Sequence, residues 1–147
     1  MSASLSSETL HASCVAIRGR AVLIAGRSGT GKSDLALRLI DRGGTLVSDD
    51  YTIVRRVEGR LLARAPANIE GKLEVRGLGI LAFEPAGDVP VALHIDLDRR
   101  PERMRQDDEQ VSIAGVQLPS VAVAALEASA PVKVEMALDR LGSAPAS

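Results

Sequence analysis

The sequence predicts an α/β domain built on a mixed, strand-rich sheet with few helices. Three observations carry that expectation. Short, β-branched apolar runs bounded by turn residues recur from "CVAI" to "SVAVAAL". Apolar residues fall at helical spacing in only two places, residues 35–40 and 131–141. A chain of 147 residues is long enough for one domain and too short for two of ordinary size. Because strands outnumber helices, a regular doubly wound sheet, which alternates the two, is not expected.

Residues 1–9 and 143–147 are rich in Ser and Ala and read as frayed ends around a domain over 10–142. "CVAI" and "AVLIA" are strands joined by a tight turn at "RGR". After a glycine-rich loop, Leu35, Ala36, Leu39 and Ile40 share one helical face, and Gly43-Gly44 stops the helix. "TLVS" is a short strand running into two consecutive acids, Asp49 and Asp50. "YTIVRRVEGRLLARAP" alternates around Glu58-Gly59 as a hairpin does. "LEVRGLGI" spends two glycines and two charges in an apolar run. Read as extended chain, it puts Glu74 and Arg76 on one face, and by composition alone it is a solvated edge strand. "VALHIDL" is a buried strand with His94 as a strand residue, and residues 98–110 form a charged surface segment. "VSIAGVQLP" and "SVAVAAL" are two further strands. In "PVKVEMALDRLG", Val134, Ala137, Leu138 and Leu141 share a face between Pro131 and Gly142, which makes a closing helix.

Hydrophobic residues at 46% and charged ones at 25% are ordinary globular values. A net charge of −1 gives no broad attraction to nucleic acid or to an anionic membrane. One Tyr, one Phe and no Trp leave few platforms on which bases could stack. No apolar run approaches the ~20 residues of a membrane span. "MSASLSSETL" lacks the basic start and apolar core of a signal peptide, so a cytoplasmic location is expected. The lone cysteine, Cys14, reads as a small buried hydrophobe.

The chemistry concentrates in one loop. Gly26, Arg27, Ser28, Gly29, Thr30, Gly31, Lys32 and Ser33 fit G-x-x-x-x-G-K-[ST] at every fixed position. Glycines let successive backbone N–H groups turn inward around phosphate oxygens without side-chain clashes. Lys32 would reach the β- and γ-phosphates and the Ser33 hydroxyl would ligate Mg²⁺, while the helix beginning here adds its positive end. The loop is therefore expected to hold a nucleoside triphosphate with magnesium. Asp49-Asp50 has two readings of equal weight: a general base beside a metal-bound phosphate, or a turn-capping pair.

Four stretches, in order, resemble the bacterial HPr kinase/phosphorylase family. "LEVRGLGI" is similar to the family's E-I-R-G-L-G-I signature, and "RGGTLVSDD" to its R-G-H-x-L-V-A-D-D. "GRSGTGKSD" is the family's phosphate loop, and His11 in "LHASCVAIRGRAVLIAG" matches the histidine opening its first strand. The resemblance covers roughly residues 10 to 142. It implies a single P-loop kinase domain, like the family's C-terminal domain, without the N-terminal regulatory domain of typical members. It implies ATP- and Mg²⁺-dependent phosphorylation of a serine on HPr, the phosphocarrier of the sugar phosphotransferase system, and assembly into hexamers. Residue by residue, Lys32 would contact the phosphates, Ser33 and Glu74 would ligate Mg²⁺, and Asp50 would take the seryl proton, supported by Asp49. His11 would stand near the transferred phosphoryl group. The family's arginine in E-Y-D-R-L corresponds to the "PERMRQ" region, with Arg103 the first choice and Arg105 the reserve. The family's P-V-R-P-G-R-N stretch, linked to the reverse phosphorylase reaction, is replaced by "AVAALEASAPVKVEM". A kinase with weak reverse activity is the expectation. A P-loop kinase for a small metabolite and a non-catalytic ATP sensor are the competing readings.

Overall fold

The computed structural model describes residues 6–106 and 109–142. The ends at 1–5 and 143–147, with Asp107 and Asp108 of the charged segment, lie outside the described residues. In chain order the elements are β1 (Ser7–Leu10), β2 (Ala12–Ile17), β3 (Arg20–Ala25), α1 (Lys32–Asp41), β4 (Thr45–Ser48), β5 (Thr52–Val57) and β6 (Arg60–Arg64). A single 3₁₀ turn at Ala67–Ile69 leads to β7 (Lys72–Val75), β8 (Gly79–Ala82), β9 (Val89–Asp96), β10 (Gln110–Ile113), β11 (Val116–Ala122) and α2 (Ala130–Leu141).

Nine strands form one mixed sheet. Its main path runs β1-β5-β6-β9-β3-β2-β4, with β11 also on β9 and β10 on β11; β7 and β8 pair separately. β3, β9 and β11 are parallel, whereas β2 is antiparallel to both β3 and β4. One edge of the sheet therefore collects the C-terminal ends of β3, β4, β9 and β11 and the N-terminal end of β2. Ligands of α/β sheets bind outside the carboxyl ends of parallel strands, and that edge is where the glycine loop sits.

Alternation along each strand divides the core between two faces. Val15 and Ile17 of β2 and Val22 and Ile24 of β3 pack with Leu35, Ala36 and Leu39 of α1 and Val134 and Leu138 of α2. On the other face Cys14, Ala16, Ala21 and Leu23 cluster with Val54, Leu61, Ala63, Ile113 and Leu118. With both faces covered, β2 and β3 can be apolar at nearly every position, as parallel-sheet strands are. The register slips between Ala21 and Val22, which oppose Val91 and Leu93. Ala92 is the extra residue of this bulge, so Ala92 and Leu93 both join the helix-side core. Burial pushes the Cys14 thiol far up, which keeps it neutral and inert.

Several local expectations hold. Glu58 and Gly59 make the β5–β6 hairpin with positive φ at both (51° and 77°). Gly44 N–H bonds Leu39 O at 2.9 Å beyond Gly43 (φ 109°), which closes α1. Others change. Ser7–Thr9, expected to fray, belong to β1 and pair with Ile53–Arg55 of β5. "LEVRGLGI" is not one extended run. Leu78 N–H bonds Val75 O at 2.9 Å, and Gly77 and Gly79 take positive φ, so the chain reverses at Arg76–Leu78. Glu74 and Arg76 do not share a strand face. The second strand break expected near Pro119 falls at Ala114-Gly115, both at positive φ, and β11 runs through Pro119. Pro119 is accommodated there opposite Gln110, the first residue of β10. Leu141, at the frayed end of α2, stays exposed.

Candidate active site

The segment Gly26–Gly31 joins β3 to α1 at the functional edge of the sheet. Gly29 and Gly31 have φ of 85° and 100°, values that an L side chain resists. Gly26 is required by space, since a Cβ there would meet Thr30 Oγ1 at 2.5 Å and Leu97 Cβ at 3.1 Å. Thr30 ties the loop internally through its hydroxyl and its N–H to Arg27 O (2.7 and 3.2 Å). Asp98 ties it to β9, accepting from Arg27 N–H at 3.1 Å and Arg27 Nε at 3.2 Å. The Arg27 backbone N–H, ahead of its guanidinium, holds the Asp98 carboxyl below its ordinary pKa. Among the described residues, the N–H groups of Ser28, Gly29, Gly31, Lys32 and Ser33 donate to no protein acceptor. Together with the N-terminal end of α1 they offer an anion a set of uncommitted donors.

Lys32 is only 5% exposed and folds back over the loop. Its Nζ donates to Gly26 O at 2.7 Å and Arg27 O at 3.1 Å, and lies 3.6 Å from Asp50 Oδ1. The two adjacent acids have separate environments. Asp49 is buried and accepts three hydrogen bonds: from Ser33 Oγ (2.6 Å), Ser13 Oγ (3.1 Å) and the N–H of Glu74 (3.2 Å). Asp50 has a side chain 48% exposed, and its Oδ1 lies 2.9 Å from His11 Nε2. Its backbone is in the left-handed region (φ 65°), and its N–H donates to Ser13 Oγ at 2.9 Å. Aspartate tolerates that conformation better than most residues.

The topology brings the pieces together. β2 starts where β3 ends, so Ser13 near its start and His11 in the bend just before it reach the acids that follow β4. The register Cys14↔Ser48 sets their distance. Leu73, buried in the helix-side core, anchors β7 so that the Glu74 backbone meets Asp49. Glu74 itself is exposed.

His11, Lys32, Ser33, Asp49 and Asp50 thus form one constellation, with Glu74 at its rim. Arg103 and Arg105 lie in the charged segment between β9 and β10. Arg103 is exposed, and no hydrogen bond or ion pair joins it to Lys32, Asp49, Asp50 or Glu74. Arg105 is half-buried and donates to Ser120 O and Glu109 O at 3.3 and 2.6 Å. His94 is a strand residue, its Nδ1 2.9 Å from Ser120 Oγ across β9 and β11. Sequence reasoning missed Ser13, Tyr51 and Asp98. Ser13 was findable as the hydroxyl two residues after His11 in an apolar strand. Asp98, like Asp49, is an acid just after an apolar strand. Tyr51, stacked on His11 with ring centroids 5.1 Å apart, follows the acid pair and carries no sequence signal of its own.

Chemically, the site pairs an acceptor reachable from solvent, Asp50, with a cation and a cradle of free N–H donors. The oxygen donors also suit Mg²⁺: a hydroxyl oriented by a buried carboxylate, and an exposed carboxylate at the rim. Magnesium in phosphate sites takes one or two carboxylates and completes its shell with phosphate oxygens and water, so a preassembled acidic cage is not required.

Residues 3–138 match the family model described as the HPr Serine kinase C-terminal domain. The HPr kinase/phosphorylase of Clostridium beijerinckii is 34% identical over 126 residues, which is 78% of this chain and 42% of that protein. Its counterpart in Listeria monocytogenes serotype 4a is 36% identical over 128 residues, 78% of this chain and 41% of that one. The chain therefore spans about two fifths of the length of these curated relatives (42% and 41%). Among solved structures, the Hpr(Ser) kinase/phosphatase from Coxiella burnetii superposes with a TM-score of 0.75 at 28% identity, covering 90% of this chain and 94% of that one.

Proposed function

Because this chain belongs to the HPr serine kinase C-terminal domain family, we propose that it is a Mg-ATP-dependent kinase that phosphorylates a serine of an HPr-type phosphocarrier. The observation that carries the reading is the position of Asp50. It is exposed to an incoming hydroxyl, held by His11 at 2.9 Å, and 3.6 Å from the Lys32 ammonium beside the loop of free N–H groups.

In this reading Gly26–Ser33 is a P-loop whose amides and Lys32 neutralise the phosphates. Phosphoryl transfer has a loose transition state that needs positioning and charge neutralisation more than covalent help. The seryl oxygen forms its bond to the γ-phosphorus as the bond to the β–γ bridging oxygen breaks. ADP leaves, and the seryl proton passes to Asp50. Bound Mg²⁺ would neutralise charge shared by the β- and γ-phosphates. Ser33 and Glu74 would be its protein ligands, and Asp49 orients Ser33 by accepting a hydrogen bond from its hydroxyl at 2.6 Å. Lys32 now bonded to Gly26 O and Arg27 O would exchange those carbonyls for phosphate oxygens. His11, stacked on Tyr51, fixes the direction in which Asp50 points.

A protein acceptor needs a docking rim, and the β7–β8 hairpin supports one, since Leu78 and Ile80 are more than two-thirds exposed beside Glu74. Arg103 is the first choice for the active-site arginine, and Arg105, which donates to Ser120 O and Glu109 O, is the reserve. Homo-oligomerisation and a cytoplasmic location belong to the same reading. The reverse reaction, attack of inorganic phosphate on phosphoserine, calls for added positive charge near the acceptor. Residues 122–129 contain no arginine, so the forward direction should dominate. The test is incubation with labelled ATP, Mg²⁺ and purified HPr-type carriers, followed by phosphosite mapping. Label on one carrier serine is expected. Label on a small metabolite, or ATP binding with no transfer to any carrier, would replace this reading with one of its competitors.

A further inference from the structure

Asp50 marks one end of the loop, and the opposite end meets the connection between β11 and α2, residues 123–129. β9 and β11 lie on one side of β3, and β2 and β4 on the other. This connection touches the loop closely. A Cβ on Gly31 would sit 3.2 Å from Ala125 Cβ and 4.0 Å from Leu126 Cδ2. It is also braced from α1. The Arg38 guanidinium donates to Glu127 O at 3.1 Å and to Ala125 O, and is itself held by Asp34 at 3.0 Å. Glu127 N–H bonds Ala124 O at 3.2 Å, and Lys133 pairs with the Glu127 carboxylate at 2.7 Å. On this braced turn stands Leu126, 88% exposed.

A single exposed leucine needs no explanation. One held at the mouth of an anion-binding loop by an arginine–carbonyl clamp has a specific neighbour to consider. We infer that Leu126 is the apolar wall against which the nucleoside of the bound triphosphate lies. The inference rests on the ATP reading above and extends it to the other end of the nucleotide. If the γ-phosphate is at Asp50, a triphosphate following the loop directs its α-phosphate and sugar away from Asp50, over Gly31 and the first turn of α1. That path leads to Leu126. The Ala125 and Glu127 carbonyls, which could read an exocyclic amine, are engaged by Arg38. With those carbonyls already turned to Arg38, the wall offers mainly contact area, and adenine and guanine should be distinguished weakly.

The experiment titrates wild type, Leu126→Ser and Leu126→Met with Mg-ATP, Mg-GTP and inorganic tripolyphosphate, with thermal unfolding to check the fold. Wild type should bind ATP and GTP within about fivefold of each other. Loss of part of a leucine's contact area should weaken both in Leu126→Ser by about three- to tenfold. Tripolyphosphate affinity should be unchanged, and Leu126→Met should restore nucleotide binding. Equal ATP affinity in wild type and Leu126→Ser would overturn the inference, as would equal weakening of ATP and tripolyphosphate. A changed oligomeric state with unchanged nucleotide affinity would assign Leu126 to a contact between copies of the chain and overturn it too. Wild type that binds neither ATP nor tripolyphosphate would overturn the P-loop reading itself, and this inference with it.

Discussion

The left-handed turn at Asp50 (φ 65°) points two neighbouring carboxylates into different surroundings. Asp49 is saturated by Ser13, Ser33 and the Glu74 N–H, whereas Asp50 keeps a solvent-facing carboxylate beside His11. Removing them should give different deficits. Asp49→Asn replaces one acceptor oxygen with an amide donor and unseats Ser33. The predicted result is a severalfold rise in the Mg²⁺ concentration for half-maximal transfer, together with lower stability; an unchanged Mg²⁺ titration would argue against the assignment. Lys32→Met retains length and loses the charge and both carbonyl bonds. ATP affinity and transfer should fall severely while circular dichroism is unaltered, and wild-type turnover would remove Lys32 from the mechanism. At this scale most of the site was legible in the sequence, because glycine, lysine and acid requirements are strict in kind and spacing. The buried, saturated setting of Asp49 was not, since it depends on a hydroxyl 36 residues away in sequence, that of Ser13. The choice between Arg103 and Arg105 was not legible either, since it depends on how a charged segment folds.

Strands and helices set by period and punctuation came through, and those set by pairing did not. The α1 face, the β5–β6 hairpin and the closing helix follow from spacing and from glycines at turns. β1 has no apolar signature. It exists because β5 offers an edge, and the Arg56 N–H bond to Ser6 O (2.7 Å) extends the pairing. The reversal at Arg76–Leu78 was hidden because its two positive-φ glycines also suit a bulged strand. Across β9 and β11, His94 and Ser120 couple element pairing to pH. Burial pushes the His94 pKa below 6.5, partly opposed by Asp96. The unfolded chain then binds the proton more readily than the folded one, so stability rises with pH through this window. His94 should contribute its full share above about pH 6.5, and that share should fall as pH drops toward its folded pKa, by at most about 1.4 kcal/mol per pH unit. Urea unfolding at pH 7.5 and 5.5, wild type against His94→Gln, measures it. A steeper loss in the variant than in wild type would reverse the sign.

The sheet as a whole is covered on both sides, and the loop, the acids and the β11–α2 turn all gather at one edge of it. That arrangement makes the central strand β9 critical for stability as well as for placing Asp98. Leu93, fully buried on the helix side, should cost about 2–5 kcal/mol as Leu93→Ala. For a chain of this size that is a melting-temperature drop of about 5–15 °C. A shift under 2 °C would mean that the site can collapse, contrary to the packing seen. The mixed α/β class was legible from strand number alone, whereas the two-sided core required the path of the sheet, which no local pattern encodes.

The proposed transfer depends most directly on Asp50 acting as the base beside a loop that would hold ATP. The decisive measurement is the single-turnover rate of phosphoryl transfer to the carrier serine in wild type and Asp50→Asn, with ATP affinity measured on the same samples. ATP affinity within about threefold of wild type and a transfer rate lowered by about 10²–10⁴-fold are predicted, the usual range for a lost general base. A transfer rate within tenfold of wild type would contradict it.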